Sequence, residues 1–203
     1  MSQPRAIVFD LGGVLIDWNP RHLYRKIFGA DEAGMERFLA EICTGEWNAQ
    51  QDAGRPLAVA TEELAARHPA HEPLIRAYYD RWGEMVAGAI EPTVEILAAL
   101  KAANHPLFAL SNWSAETFPI ARARFAFFDL FDHLVISGQI RMVKPDREIF
   151  DHLLGHARRP AEECVFIDDS PGNVTAAAAL GFDAIHFHSP QQLREELGLR
   201  GIL

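Results

Sequence analysis

Short apolar runs recur along the second half of the chain and occur once near its start. They are rich in branched and aromatic residues and are bounded by polar or turn-forming residues, which is typical of strands buried on both faces. These predicted strands lie at 6–9, 107–112, 134–136, 165–169 and 184–187. Segments with helical spacing alternate with the later strands. These predicted helices lie at 93–103, 115–125, 148–157, 172–180 and 190–197. This alternation predicts an α/β fold, a doubly wound parallel sheet with right-handed crossovers.

The segment from residue 17 to residue 88 has a different pattern. It lacks strong strand signals, and its apolar residues follow helical spacing, as Leu23 and Ile27 do. Glycine and proline residues interrupt this spacing several times. We therefore predict four helices that form a small all-helical cap, 17–88, inserted into a catalytic core made of 1–16 and 89–203.

Composition and charge narrow the classes of partner. With 203 residues, the chain is long enough for one substantial core and a small satellite domain. Its formal net charge of -9 disfavours a nucleic-acid partner, and its apolar runs are too short to predict a membrane span. We expect Cys43 and Cys164 to be free thiols and find no signal-peptide pattern, which together indicate a cytoplasmic protein. We expect a monomer or a homodimer.

Polar side chains stand at or just beyond the ends of the predicted strands, where open parallel sheets place their ligands. In chain order they are Asp10, Ser111, Asn112, Lys144, Asp168 and Asp169. A hydroxyl and an amide can donate to phosphate oxygens, a lysine can neutralise them, and carboxylates are the hard ligands that Mg²⁺ prefers. Taken alone, Asp10 is better interpreted as a strand-end cap and Lys144 as a surface lysine. The complete set, however, can bind a phosphate and a divalent cation together.

The segments that carry these residues resemble a known family. They are 9–15 (Phe-Asp-Leu-Gly-Gly-Val-Leu), Ser111 with Asn112, 144–146 (Lys-Pro-Asp) and 167–170 (Ile-Asp-Asp-Ser). Their order and spacing resemble the four motifs of haloacid dehalogenase-like (HAD) hydrolases, from Ile7 to about His188. The chain is similar to the branch with an inserted helical cap, which includes bacterial sugar-phosphate phosphatases and the phosphatase domain of some epoxide hydrolases. The resemblance implies a Rossmann-like core beneath that cap.

The resemblance also implies an activity and a cofactor. It implies a phosphomonoester hydrolase that acts on a small phosphorylated metabolite, such as a sugar phosphate, through an aspartyl-phosphate formed on Asp10. Mg²⁺ would be held by Asp10, the Gly12 carbonyl, Asp168 and Asp169. By the same resemblance, Ser111, Asn112 and Lys144 would hold the phosphate oxygens, and Lys144 would also steady the nucleophile.

One position departs from the family pattern. Most phosphatases of the family carry a second aspartate two residues after the nucleophile, and it protonates the leaving alcohol; here that position is Gly12. General acid help contributes about 10²–10⁴-fold in rate. Either the substrate has a good leaving group, or ordered water or a carboxylate such as Asp17 or Asp52 replaces the missing acid.

Two other functions stay open at this point. A metal-independent 2-haloacid dehalogenase also lacks the second aspartate, and a weakly catalytic protein that binds a phosphometabolite would not need it. The adjacent Asp168 and Asp169 favour the phosphatase, because without a cation these carboxylates would repel Asp10.

Two tryptophans are predicted to bind the substrate. Trp113 directly follows Asn112 and adds a bulky ring beside the expected phosphate site. Trp47 lies in a polar stretch of the cap that can face the cleft, although packing between cap helices explains this residue equally well.

Overall fold

The structure, a computed structural model, describes residues 5–203. Its strands are β1 (Ala6–Phe9), β2 (Ile16–Trp18), β3 (Val86–Ala89), β4 (Leu107–Ser111), β5 (His133–Ile136), β6 (Cys164–Asp168) and β7 (Asp183–His186). The first helices are α1 (Pro20–Phe28), α2 (Glu32–Glu41), α3 (Gly45–Asp52), α4 (Leu57–Arg67) and α5 (Glu72–Asp80). The others are α6 (Glu91–Ala102), α7 (Phe118–Arg124), α8 (Ser137–Ile140), α9 (Arg147–Ala157), α10 (Pro171–Ala179) and α11 (Pro190–Leu199).

Five strands form one parallel sheet in the order β5-β4-β1-β6-β7. Side chains alternate between its faces, so that Ile7 and Phe9 enter one apolar cluster while Ala6 and Val8 enter another. Helices α6 and α11 contribute to the first cluster, and α9 and α10 contribute to the second. Helices therefore cover both faces of the sheet, and the predicted fold class is confirmed.

The helical segment between β2 and β3 contains five α-helices, α1–α5, where the sequence pattern predicts four. The additional helix is α3, whose spacing is hidden because it is mostly polar and buries only Trp47 and Gln51. The short strands β2 and β3, also absent from the prediction, pair antiparallel and bring the two ends of the segment together. The division of the chain into core and cap stays a prediction.

The helical segment packs through aromatic side chains. The Tyr24 ring lies 5.0 Å from the ring of Phe38 and 6.2 Å from that of Tyr78, measured between centroids. This packing is continuous with the apolar cluster on one face of the sheet. The segment is also tied to the sheet near its carboxyl edge, because Ser137 Oγ donates to the Asp52 carbonyl oxygen at 2.6 Å.

The chain after β4 differs from the predicted pattern. Helix α7 begins at Phe118 rather than at 115, and the short helix α8 is an addition. The preceding stretch is a loop because the Trp113 carbonyl accepts a hydrogen bond from the Gly138 N–H, and Ser114 Oγ accepts one from the Glu116 N–H. This loop borders the carboxyl edge of the sheet.

Within residues 5–203, no helix combines the length and the apolar character that crossing a bilayer requires. Cys43 and Cys164 are both buried and free.

Candidate active site

A cavity of about 320 Å³ lies at the carboxyl ends of the central strands. Asp10 follows β1, Ser111 ends β4 and Asp168 ends β6, as expected from parallel strands whose carboxyl ends share one edge. The residues that line the cavity are Asp10, Gly12, Gly13, Trp18, Asn48, Asp52, Tyr79, Trp82, Ser111, Asn112, Trp113, Ser114, Thr117 and Asp169. The sheet edge and the helical segment therefore both contribute to its wall.

Lys144 is buried beside this cavity between two carboxylates. Its Nζ lies 2.6 Å from Asp168 Oδ2 and 3.1 Å from Asp10 Oδ1, and its side chain is 1% exposed. Burial alone would lower the pKa of Lys144, but the charges of Asp10 and Asp168 outweigh burial and raise this pKa. Lys144 is therefore a fixed cation at neutral pH and not a surface lysine.

The carboxylate of Asp168 is surrounded by donors. Besides Lys144, it accepts hydrogen bonds from the Ser170 N–H at 2.8 Å and from Asn173 Nδ2 at 3.0 and 3.1 Å. Most of its lone pairs are therefore engaged within the protein. Sequence reasoning missed Asn173, although a lone amide in the first turn of the alanine-rich α10 was an available signal.

Asp169 completes a cluster of three carboxylates. One oxygen each from Asp10, Asp168 and Asp169 lies within 4.8 Å of the other two. Gly13 permits the approach of Asp169, because its φ is +75° and a Cβ there would lie 2.3 Å from Asp169 Oδ2. Since three carboxylate oxygens at this spacing repel one another and are hard donors, the cluster fits a magnesium ion.

The same crowding shifts the titration of the cluster. Burial raises the pKa of Asp10 to about 6, with Lys144 opposing the shift and Asp168 adding to it. Burial, and then Asp168, also raise the pKa of Asp169. A bound divalent cation would favour the charged form of both carboxylates.

Ser111 and Asn112 have different surroundings. Ser111 lines the cavity beside Asp10, and its hydroxyl helps to lower the pKa of Asp10 against the effect of burial. Asn112 Nδ2 donates to the Lys144 carbonyl at 2.9 Å, and Asn112 Oδ1 accepts from the Lys144 N–H at 2.8 Å. The Asn112 amide, expected to bind phosphate, thus holds the Lys144 backbone and keeps one N–H for a ligand.

The two predicted tryptophans are placed differently. Trp113 lines the cavity, with its ring 5.7 Å from that of Trp82. Trp47 is not among the lining residues; it is 5% exposed, with its ring 5.2 Å from Tyr78 and 5.3 Å from Tyr79. The expectation that Trp47 faces the cleft is corrected, because this ring is the one large apolar side chain of α3 and packs within the helical segment.

The position of the missing aspartate is open space. Gly12 lines the cavity, and a Cβ built on it would meet no heavy atom within 4 Å. Crowding therefore does not account for this glycine. The predicted role of its carbonyl as a metal ligand stays a prediction.

The two carboxylates considered as replacement acids are in contrasting places. Asp17 is exposed, pairs with His22 at 2.9 Å and does not line the cavity. Asp52 lines the cavity, and burial raises the pKa of Asp52 to about 7, with the Ser114 N–H opposing the shift and Asp10 adding to it. The structure therefore brings Asp52, and not Asp17, to the site.

The raised pKa of Asp52 predicts a measurable pH dependence of stability. The folded state holds this proton more tightly than the unfolded state, so the contribution is complete below about pH 4 and is lost as pH rises to about 7. In EDTA, the free energy of unfolding of the wild-type protein should fall over this pH window, and part of that fall is due to Asp52. We expect Asp52→Asn to make the fall smaller by about 1–4 kcal/mol, which corresponds to at least about 3 °C in Tm. Melting curves of both proteins from pH 4 to 8 test this. Parallel curves at every pH would show that Asp52 titrates normally.

The chain matches a known protein family and is similar in sequence to characterised proteins. Residues 4–181 match the family of haloacid dehalogenase-like hydrolases. A sesquiterpene phosphatase from Aspergillus oryzae (strain ATCC 42149 / RIB 40) is 27% identical over 185 residues, which cover 90% of this chain and 89% of that protein. A drimenol cyclase from Aspergillus calidoustus is 26% identical over 198 residues, which cover 95% of this chain but only 36% of the cyclase.

Solved structures share the fold. A HAD family enzyme from Bacteroides thetaiotaomicron, in complex with magnesium and inorganic phosphate, has a TM-score of 0.68 and 23% identity, covering 92% of this chain and 95% of that one. An L-2-haloacid dehalogenase from Xanthobacter autotrophicus, with chloropropionic acid covalently bound, has a TM-score of 0.63 and 17% identity, covering 99% of this chain and 85% of that one. At these identities, the likeness concerns the fold alone.

Proposed function

This chain belongs to the haloacid dehalogenase-like hydrolase family, and from that premise we propose that it is a magnesium-dependent phosphatase of small phosphorylated metabolites. The predicted family is thereby confirmed, and the chain is a hydrolase of that family. The metal, the phosphate ester and the roles of individual residues are the content of the proposal.

The observation that carries the proposal is the carboxylate cluster. Asp10, Asp168 and Asp169 bring oxygens within 4.8 Å of one another, while the nearby Lys144 supplies a single positive charge. A divalent cation balances this excess of negative charge. A cation beside a nucleophilic carboxylate also favours binding of a dianionic substrate, because it reduces the repulsion between the two negative groups. In this proposal Asp10, Asp169 and the Gly12 carbonyl hold Mg²⁺, and Asp168, already engaged by donors, ligates it directly or through water.

Each residue at the cavity has a part in the proposed reaction. Mg²⁺, when bound, neutralises phosphate oxygens and so lowers the repulsion between the substrate and the carboxylate of Asp10. Asp10 attacks phosphorus and forms an aspartyl-phosphate, which water then hydrolyses. Lys144 keeps Asp10 oriented and adds positive charge, while the Ser111 hydroxyl and the remaining N–H of Asn112 donate to phosphate oxygens.

The relatives support a phosphate ester as the substrate. One is named as a sesquiterpene phosphatase, and the structural neighbour from Bacteroides thetaiotaomicron was solved with magnesium and inorganic phosphate. Trp82 and Trp113 give the cavity aromatic walls, which suit the C–H face of a sugar or another apolar group. A small sugar phosphate is our first candidate. A cytoplasmic location, proposed from the free thiols of Cys43 and Cys164, suits a metabolite of this kind.

The dehalogenase alternative accounts for the site less well. A dehalogenase attacks carbon and needs no metal, so three carboxylates side by side would repel without any benefit. The open space at Gly12 is compatible with either reaction, since it shows only that one acid is missing.

The proposal predicts a metal-dependent phosphatase activity. We expect hydrolysis of p-nitrophenyl phosphate and of small sugar phosphates with added Mg²⁺, and a fall of about 10²–10³-fold in EDTA, because several kcal/mol of charge neutralisation are lost. Asp169→Asn should raise the Mg²⁺ concentration for half-maximal rate at least about tenfold. The control variant Asp151→Asn, which changes an exposed carboxylate on α9, should leave that concentration unchanged.

A parallel panel of 2-haloacids in EDTA completes the test. Release of halide without metal, together with no turnover of phosphate esters, would show that the protein is a dehalogenase and not a phosphatase. Equal phosphatase rates with Mg²⁺ and with EDTA would contradict the metal assignment while keeping the phosphatase.

A further inference from the structure

We propose that Asp52 is the general acid of this active site, which gives a proton to the leaving alcohol in place of the side chain that Gly12 lacks. The inference rests on the proposed phosphatase function and adds to it a catalytic residue contributed by the helical segment.

Asp52 is the available carboxylate at the right place. Of the described residues, three carboxylates line the cavity, and they are Asp10, Asp52 and Asp169. Asp10 and Asp169 belong to the cluster that fits the metal, so Asp52 is the one left for proton transfer. Asp10 and Asp52 are also close enough for their charges to interact.

The backbone of Asp52 is fixed to the sheet edge. Its carbonyl oxygen accepts from Ser137 Oγ at 2.6 Å, and the same Ser137 Oγ accepts from the Trp113 N–H at 2.9 Å. The hydroxyl thus joins the last residue of α3 to the loop that follows β4. Close packing of this region needs Gly138, where a Cβ would lie 2.5 Å from the Ala115 nitrogen. Asp52 is therefore held in place and is not on a free loop.

The carboxyl group of Asp52 is oriented by a chain of hydrogen bonds. Asn48 Nδ2 donates to Asp52 Oδ2 at 2.9 Å, and the Tyr79 hydroxyl donates to Asn48 Oδ1 at 3.1 Å. The Tyr79 oxygen in turn accepts from Gln51 Nε2 at 3.0 Å. Each member of the chain orients the next, as the supporting residues of a proton donor do. Asn48 and Tyr79 also line the cavity themselves.

The charges around Asp52 favour its protonated form near neutral pH. Burial raises the pKa of Asp52 to about 7, and Asp10 faces it from the end of β1. On α5, Tyr78 and Tyr79 face it as neutral phenols, since burial raises the pKa of both. Other charged side chains also lie near the α3 end. Glu116 accepts from the Leu57 N–H, Arg141 packs on Gly54, and Arg55 donates to Gln50 Oε1 at 2.7 Å and pairs with Glu63. A pKa near the working pH lets one group both donate and accept a proton.

The proposed steps balance in protons and electrons. When Asp10 attacks phosphorus, the bond from phosphorus to the ester oxygen breaks, its electron pair stays on that oxygen, and the oxygen takes the proton of Asp52. In the second step, water attacks the aspartyl-phosphate and gives a proton to the Asp52 carboxylate, while the bond from phosphorus to the Asp10 oxygen breaks. Phosphate leaves, and both aspartates return to their starting forms.

The test compares leaving groups. The probes are p-nitrophenyl phosphate, whose phenolate leaves without a proton, and small alkyl and sugar phosphates, whose alkoxides need one. We expect Asp52→Asn to lower kcat/KM about 10²–10³-fold for the alkyl esters and less than about tenfold for p-nitrophenyl phosphate. The plot of log kcat/KM against leaving-group pKa should become steeper, and the fall in the alkyl-ester rate above about pH 7 should disappear.

Two further variants separate proton transfer from structural damage. Asn48→Ala, which removes the donor to Asp52, should show the same selective loss at about tenfold. Glu46→Gln, which alters an exposed carboxylate on the same helix, should match wild type with every substrate. Melting curves of each variant report whether it folds.

The possible failures are distinguishable. A wild-type protein that hydrolyses no phosphate ester with Mg²⁺ removes the proposed function, and this inference with it. A wild-type phosphatase for which Asp52→Asn loses equal activity on all leaving groups, or loses none on alkyl esters, keeps the proposed function and overturns the assignment of Asp52.

Discussion

Asp10→Asn is expected to lower kcat for phosphate monoesters by about 10³-fold or more while the protein stays folded. The amide has the same shape as the carboxylate but cannot attack phosphorus, so the covalent route is lost. The side chain is almost fully buried and lies 3.1 Å from Lys144 Nζ, so the substitution changes charge at a packed position without a change of volume. The measurements are kcat at saturating Mg²⁺ and the melting curve of the variant.

A second readout addresses the covalent intermediate. Rapid acid quench of wild type during turnover should trap phosphate on the protein, and hydroxylamine should release it, as expected for an acyl phosphate; Asp10→Asn should trap none. Asp129→Asn serves as a matched control, because Asp129 is exposed and paired with Arg122. Turnover by Asp10→Asn close to the wild-type rate would show that another group attacks phosphorus.

Lys144→Met is expected to cause the largest loss of stability of any substitution at the site. Asp168 is fully buried, and removal of its cation leaves a buried charge with only neutral donors. Removal of one partner of a buried ion pair lowers the free energy of unfolding by about 3–5 kcal/mol, which corresponds to a fall of roughly 10 °C in Tm for a chain of this length. Urea unfolding at pH 7 in EDTA measures the free energy of unfolding.

A double-mutant cycle identifies the cause of that loss. Asp168→Asn removes the unpaired charge, so the Lys144→Met/Asp168→Asn protein should be more stable than the sum of the two single effects predicts. The exposed pair of Lys101 and Asp132 offers a control, since Lys101→Met should cost less than about 1 kcal/mol. Strict additivity in the cycle would mean that Lys144 stabilises the fold through something other than Asp168.

Much of the core was predictable because its signals are local. The segments that became β1, β4 and β6 are continuous apolar runs, and a strand buried on both faces needs no other pattern. The polar residue after each run lies at the shared edge for a topological reason, since parallel strands end on the same side. The positions of Asp10, Ser111 and Asp168 followed from these two facts.

The helical segment was less predictable because its packing is decided between distant residues. Helix α3 carries mostly polar residues, and its one large apolar ring, Trp47, is buried by Tyr78 and Tyr79 from α5. The same mixture of polar and aromatic residues would suit a helix that faces a ligand. Neighbours brought close by the fold decided between these possibilities.

The strand segments of the parallel sheet, the polar residues at their ends and the absence of a side chain at Gly12 were determined by the sequence itself, because each depends on residues adjacent in the chain. Only the tertiary structure decided that Asn112 holds the Lys144 backbone and that Asp52 lines the cavity. These contacts join separate elements, and the one between Ser137 and Asp52 spans 85 positions in the chain. Such pairs carry no local pattern, since their geometry is set by how the helical segment packs against the sheet edge.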